Sequence, residues 1–71
     1  MLIRDFQLKL EFIELDNLLK ATNLAASGAQ GRQYILAGLI KINGQVETRI
    51  RRKVRSGDFV EFGKNQINIV A

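Results

Sequence analysis

Apolar and polar residues alternate near the beginning of the chain. The alternating apolar residues are Phe6, Leu8, Leu10 and Phe12. A period of two over this length predicts a strand with one buried face. The spacing then changes, because Leu15, Leu18 and Leu19 recur at intervals of three and four residues. This second pattern predicts a short helix that ends near residue 23.

A second helix is predicted to begin at Ser27. Ser27 and Gln30 have the spacing of a capping box, and Gly38 stands where a left-handed residue would end the helix. Glycine lowers helix stability by about 1 kcal/mol relative to alanine, so glycines inside the helix require a reason. For Gly31 we expect close packing against the first helix. For Gly28 we expect either such packing or the approach of a phosphate to the amides of the first turn.

Short strands are predicted from residue 39 onwards. Ile40 and Ile42 alternate with Lys41, and Asn43-Gly44 is the strongest signal for a two-residue hairpin turn. Turn signals at residues 56–58 and 63–65 bracket a further strand, and a last strand covers residues 66–70. This order predicts one α+β domain over residues 1–71. Its N-terminal strand and two short helices are expected to accompany a small, twisted, mostly antiparallel sheet with a basic hairpin.

The composition excludes most enzyme chemistry. The 71 residues contain no Cys and no His, which removes disulfides, the common zinc sites and the Ser-His and Cys-His catalytic pairs. Asp58 and Glu61 flank a strand, where turn hydrogen bonds and solvation explain them. We therefore predict that the protein is not an enzyme and has no cofactor and no metal.

The first residues carry charges at positions 4 and 5 and lack the apolar run of a signal peptide. The longest nearly apolar segment, residues 35–40, is too short to span a bilayer. We expect a cytoplasmic protein.

Positive charge is concentrated in the second half of the chain. The net charge is +4, and residues 41–71 hold seven cations against three anions while residues 1–40 are balanced. Such an asymmetry indicates a polyanionic partner, with nucleic acid ahead of an anionic membrane. The alternative is that the cations only keep a small protein in solution.

The most basic segment runs from residue 49 to residue 55. In an extended chain, one face would carry four cations, namely Arg49, Arg51, Lys53 and Arg55. Successive side chains on one face lie about 6.5 Å apart, so this row would be roughly 20 Å long and would suit a phosphate backbone. Ile50 and Val54 would face the opposite way. The alternative is a solvated edge strand whose charges discourage aggregation.

All the aromatic residues are predicted to lie in the core. They are Phe6, Phe12, Tyr34, Phe59 and Phe62. A platform for stacking bases is therefore not expected, and recognition of folded RNA by shape, phosphate and 2′-hydroxyl groups fits better.

Several segments together resemble one known RNA-binding domain. They are Leu15-Asp16-Asn17-Leu18-Leu19, Ser27 to Arg32, Gly38 to Gly44 and Ser56-Gly57-Asp58. In this order they are similar to the domain named after ribosomal protein S4, with the core motif at residues 14–62, and most of all to the small bacterial proteins that consist of little else. The resemblance implies an αL fold, in which two helices against a hairpin grip folded RNA.

The resemblance also implies RNA-facing residues, namely Ser27, Arg32, Lys41, Asn43 and Arg49. To these we add Arg51, Arg52, Lys53 and Arg55 on grounds of charge. We also include Gly28, which stands where many members of the family have arginine. This departure removes one phosphate contact that the family pattern implies.

We therefore predict a monomeric, non-enzymatic protein that binds structured RNA of the ribosomal or transfer RNA class. Its partners would include the ribosome or RNA-processing proteins. The alternative is a protein-interaction module that docks an acidic partner during ribosome assembly or RNA processing. Attachment to anionic lipid has least support, because the cations lie on predicted strands and not on an amphipathic helix.

Overall fold

The computed structural model describes residues 2–71, which contain seven strands and two helices. Their bounds are β1 Leu2–Gln7, β2 Ile13–Glu14, α1 Leu15–Ala21, α2 Gly28–Leu36, β3 Ile40–Ile42, β4 Gln45–Val46, β5 Lys53–Val54, β6 Phe59–Phe62 and β7 Asn65–Val70. The predicted α+β class is confirmed. No helix among these residues is both long and apolar enough to cross a membrane.

Five of the strands form one sheet in the order β1-β7-β6-β3-β4. Its pairs are antiparallel except β1 with β7, which are parallel, so the predicted mostly antiparallel sheet is confirmed. The strands β2 and β5 form a separate antiparallel pair. Alternate side chains of the large sheet face the core, and those that are fully or almost fully buried are Ile40, Ile42, Val60, Ile67 and Ile69.

The helices supply the other side of the core. Leu15, Leu18 and Leu19 of α1 and Ile35 of α2 are completely buried. Gly31 is buried against α1, as predicted, but a Cβ there would lie 3.6 Å from both the Ala25 Cβ and the Asp16 carbonyl oxygen. This is an ordinary contact distance, so the packing does not by itself require glycine.

The predicted ends of α2 are also confirmed. The Ser27 Oγ accepts a hydrogen bond from the Gln30 amide at 3.1 Å. The Gln30 Oε1 in turn accepts a hydrogen bond from the Ala26 amide rather than from the Ser27 amide. At the other end Gly38 has a φ of 76°, and its amide and that of the next residue donate to carbonyls of the last turn.

The first strand differs from its prediction. It covers residues 2–7 and not the whole alternating segment to Phe12. Of the three alternating apolar residues beyond its end, only Leu8 is buried, while Leu10 is 78% exposed. The register explains the difference, because Gln7 pairs with Val70, the last residue of β7. Beyond this pair β1 has no partner strand, and the chain leaves the sheet and forms β2 before it enters α1.

Candidate nucleic-acid interface

Five cations surround one open depression on the surface. We call them the basic strip, and they are Arg49, Arg51, Arg52, Lys53 and Arg55. Ser56 and Asp58 complete the lining. The four cations that the sequence places on one face therefore line the same depression together with Arg52, and their role in RNA binding stays a prediction.

The basic strip is not the straight row that the sequence predicts. Only Lys53–Val54 forms a strand, and the Arg52 amide donates to the Arg49 carbonyl at 3.3 Å, which closes a turn. The prediction that Ile50 and Val54 face away from the cations is confirmed, because Val54 is completely buried and Ile50 packs against the core. The cations thus curve around a depression instead of following one edge.

The beginning of α1 holds this turn in place. This helix has no side-chain cap. Its first amides instead donate to carbonyls of the basic segment. The Leu15 amide donates to the Arg52 carbonyl at 2.9 Å, and the Asp16 amide donates to the Ile50 carbonyl at 3.2 Å. Because a helix end must satisfy its free amides, the turn and the helix fix each other. The Asp16 carbonyl also lies beside Gly31, so the first turn of α1 lies between the basic strip and α2.

A single carboxylate organises the arginines of the turn. Glu47 accepts three hydrogen bonds from Arg49, one from its amide and two from its guanidinium, at 3.0 to 3.1 Å. It also lies 3.3 Å from the Arg52 Nε. The Glu47 side chain is only 13% exposed, whereas that of Arg49 is 74% exposed. Glu47 therefore orients Arg49 while leaving much of its guanidinium open to solvent.

These contacts lower the pKa of Glu47 from 4.5 to about 2. The hydrogen bonds from the Arg49 side chain are the largest cause. Burial opposes them, and the Arg49 amide and the charges of Arg49 and Arg52 add to the lowering. At neutral pH the carboxylate is therefore fully ionised, and it cancels one positive charge of the basic strip.

We expect the Glu47→Gln variant to be less stable than the wild type at pH 7, by about 1 to 2 kcal/mol after allowance for screening by solvent. The pKa is lower in the folded protein, so the stabilisation is present above pH 4.5 and is lost as the pH falls towards 2. Urea unfolding of both proteins at pH 7 and pH 2.5 measures the difference in their free energies of unfolding.

The difference between the two proteins should shrink to about a quarter of its pH 7 value at pH 2.5, because this pH is still slightly above the folded-state pKa of about 2. The Glu11→Gln variant, at an exposed carboxylate, is the control. An equal loss for Glu47→Gln at both pH values would contradict the account.

Asn43 and Asp58 brace the other end of the depression. The Asn43 Oδ1 accepts from the Phe59 amide, and its Nδ2 donates to the Asp58 Oδ1, both at 3.0 Å. The other Asp58 oxygen accepts from the Arg55 amide at 2.9 Å. Burial alone would raise the pKa of Asp58, but the bonds from Arg55 and Asn43 and the nearby arginine charges hold it below its ordinary value. Asn43 thus ties the hairpin turn to the depression.

The remaining predicted site residues lie outside the depression. Ser27 uses its hydroxyl as the cap of α2, and a Cβ on Gly28 would meet nothing within 4 Å. Arg32 is exposed on α2. Lys41 is exposed between two buried isoleucines of β3, so it points to the face of the sheet opposite the core. The roles of these four residues stay predictions.

The prediction of core positions is confirmed for three aromatic residues and wrong for two. Phe6, Tyr34 and Phe62 pack against the core, the last two with ring centroids 4.7 Å apart. Phe12 and Phe59 are half-buried and outside the core. Phe59 alternates with the buried Val60, so it lies on the other face of the sheet. Phe12 lies in the segment that leaves the sheet after β1.

Sequence reasoning missed the role of Glu47 and the position of Phe12 outside the core. Glu47 counted only as one negative charge among six cations of residues 41–55. Its position two residues before Arg49 allows the bidentate contact that the structure shows. For Phe12 no signal was present, because it continues the alternation of the first strand.

A family model for the S4 domain matches residues 6–70. Escherichia coli K12 has a protein named "Putative RNA-binding protein YbcJ", which is 41% identical over 59 residues, 83% of this chain and 84% of the relative. The YbcJ of Shigella flexneri, named as an uncharacterized protein, matches to the same extent.

The same architecture occurs in a solved structure. The solution structure of E. coli YbcJ has a TM-score of 0.73 at 40% identity and covers 94% of this chain and 86% of its own. It is described as revealing an αL motif involved in RNA binding. The expected αL fold is thereby confirmed, and both the extent of the family match and the identity to YbcJ show that the chain belongs to the S4 domain family.

Proposed function

We propose that this protein is a non-enzymatic, monomeric RNA-binding protein of the cytoplasm, which recognises structured RNA of the ribosomal or transfer RNA class. The observation that carries the proposal is the convergence of the basic strip around one open depression. The RNA-binding name and motif description of its E. coli relative support the same partner.

The fixed geometry of the basic strip favours folded RNA over a flexible single strand. The backbone of the turn is bound to the first amides of α1, and Glu47 holds Arg49 and Arg52. A rigid set of cations loses little entropy when it meets phosphates that are already fixed by an RNA fold. Guanidinium groups add paired hydrogen bonds to phosphate oxygens, which a lysine cannot supply.

Binding of a transfer RNA transcript over a range of salt concentrations tests the proposal. If about five phosphates are contacted, the logarithm of the affinity should fall with that of the salt concentration at a slope of roughly −3.5 to −4.5. An unstructured oligouridine of equal length is the control and should bind more weakly. An affinity that does not depend on salt would contradict the proposed function. So would the capture of an acidic protein that survives nuclease treatment, if neither RNA binds.

The Gly28→Ala variant separates stability from binding. A Cβ at this position meets no other atom within 4 Å, and the residue is not in a left-handed conformation. Alanine is the better helix former, so we expect unchanged stability or a gain of up to about 1 kcal/mol in the free energy of unfolding.

If a phosphate approaches the first amides of α2, the methyl group should nevertheless weaken RNA binding severalfold. Thermal unfolding and RNA titration of the same variant measure the two effects. Binding equal to that of the wild type would remove Gly28 from the interface. The matched control is Gly31→Ala, whose Cβ would face α1 and not solvent.

A further inference from the structure

Phe12 lies where the basic strip meets an apolar part of the surface. The Lys53 Nζ is 4.9 Å from the centroid of its ring, and the Arg55 Cζ is 5.8 Å from it. Both distances are within the range of cation–π interactions. Since both cations also line the depression, the ring is the direct neighbour of the proposed phosphate-binding groups.

Phe12 also lines an apolar hollow. The hollow is bounded by residues 6–10, Phe12 and Ile13, among them Phe6, Leu8 and Leu10. Leu10 is 78% exposed, which places an unshielded leucine beside a half-buried ring. Leu10 is exposed because β1 ends at Gln7, where its partner strand ends. The adjacent surface provides polar groups, since Asn17, Glu11 and Glu14 line a second hollow that shares Phe12.

We propose that Phe12 and Leu10 bind an unpaired base of the RNA, whose neighbouring phosphates lie on Lys53 and Arg55. This rests on the proposed RNA-binding function. A nucleotide joins a flat apolar ring to an anion, which matches an apolar hollow bordered by cations. A phosphate alone would need no apolar neighbour, and an apolar peptide would not need the two cations.

The proposal narrows the RNA to a class. It would be a folded RNA with an unpaired nucleotide next to a helix, such as a bulge or a single-stranded end. The fold of the RNA is bound through phosphates on the basic strip, and the unpaired base stacks on Phe12. Stacking of this kind accepts any of the four bases, since each has a π face.

Two RNA hairpins test this subsite. Both carry a five-nucleotide single-stranded end, with adenines in one and abasic sugars in the other, so that their phosphates are the same. Removal of one stacking partner costs about 5- to 150-fold in affinity. We therefore expect Phe12→Leu to weaken binding of the adenine hairpin by about tenfold and binding of the abasic hairpin by less than twofold. A 2-aminopurine in the adenine end should lose fluorescence on binding to the wild type but not to the variant.

The control variant is Phe59→Leu, which removes another half-buried ring that lines neither the depression nor the two hollows. It should leave both affinities unchanged, and thermal unfolding checks that both variants are folded. Equal weakening of the two hairpins by Phe12→Leu would overturn the inference. So would equal wild-type affinity for the two hairpins, or a protein partner that needs Phe12 while no RNA does. The proposed function fails separately, if neither hairpin binds the wild type in a salt-dependent manner.

Discussion

Replacement of Arg51 and Arg55 by glutamine is expected to weaken binding of structured RNA by about a hundredfold. Both side chains belong to the basic strip, both residues are exposed, and neither pairs with Glu47. Each lost charge-assisted contact costs about 1.5 kcal/mol or more, and two such losses correspond to at least about a hundredfold. The slope of affinity against salt should also become shallower, by about 0.7 to 0.9 for each lost phosphate contact.

The control is the Lys20→Gln/Lys64→Gln double variant, which has the same net charge. Both lysines are exposed and lie outside the depression. If only net charge attracts RNA, the two double variants will lose affinity equally, and this would contradict a defined interface. If the basic strip binds phosphates, the control will keep most of the affinity and the wild-type salt slope. Circular dichroism at 25 °C should show all three proteins folded.

Arg52 is a poorer choice for this experiment. Its side chain is 28% exposed, pairs with Glu47 and donates to the Lys53 carbonyl. Its replacement would disturb the turn as well as any RNA contact. Combined reversal of residues 51–53, which the sequence alone would suggest, therefore mixes a structural effect with a binding effect.

Local signals in the sequence are sufficient for much of the fold. The Asn43-Gly44 turn was predictable because a two-residue hairpin turn needs a left-handed backbone at both central positions, which Asn and Gly adopt readily. Their φ values are 53° and 85°. The ends of α2 were predictable for a similar reason, since a capping serine and a terminating glycine act within one turn. Each of these features depends only on residues close together in the chain.

Features that depend on distant residues were not predictable in this way. The end of β1 is set by β7, at the other end of the chain. The turn at residues 49–52 exists because the first amides of α1 capture carbonyls of Ile50 and Arg52, while the local alternation favours an extended chain. For the candidate site, charge counting therefore identified the cations, but their curved arrangement and their contact with Phe12 needed the fold.

Replacement of Asn43 by alanine is expected to lower the free energy of unfolding by about 2 to 3 kcal/mol. Two hydrogen bonds, to the Phe59 amide and to Asp58, would be lost, at about 1 kcal/mol each. Alanine also pays about 1 kcal/mol in the left-handed conformation that Asn43 adopts. A domain of this size has a total stability of roughly 4 to 10 kcal/mol, so the loss would be large.

The Asn43→Gly variant divides this loss into its two parts. Glycine accepts the left-handed conformation but cannot make the hydrogen bonds, so it should be about 1 kcal/mol more stable than the alanine variant. Urea unfolding of the three proteins at pH 7 measures both steps. The family resemblance implies a direct RNA contact at Asn43, whereas its side-chain atoms are already bonded within the protein. An alanine variant with unchanged stability and lost RNA binding would contradict the bracing role, because only a direct contact would then explain the residue.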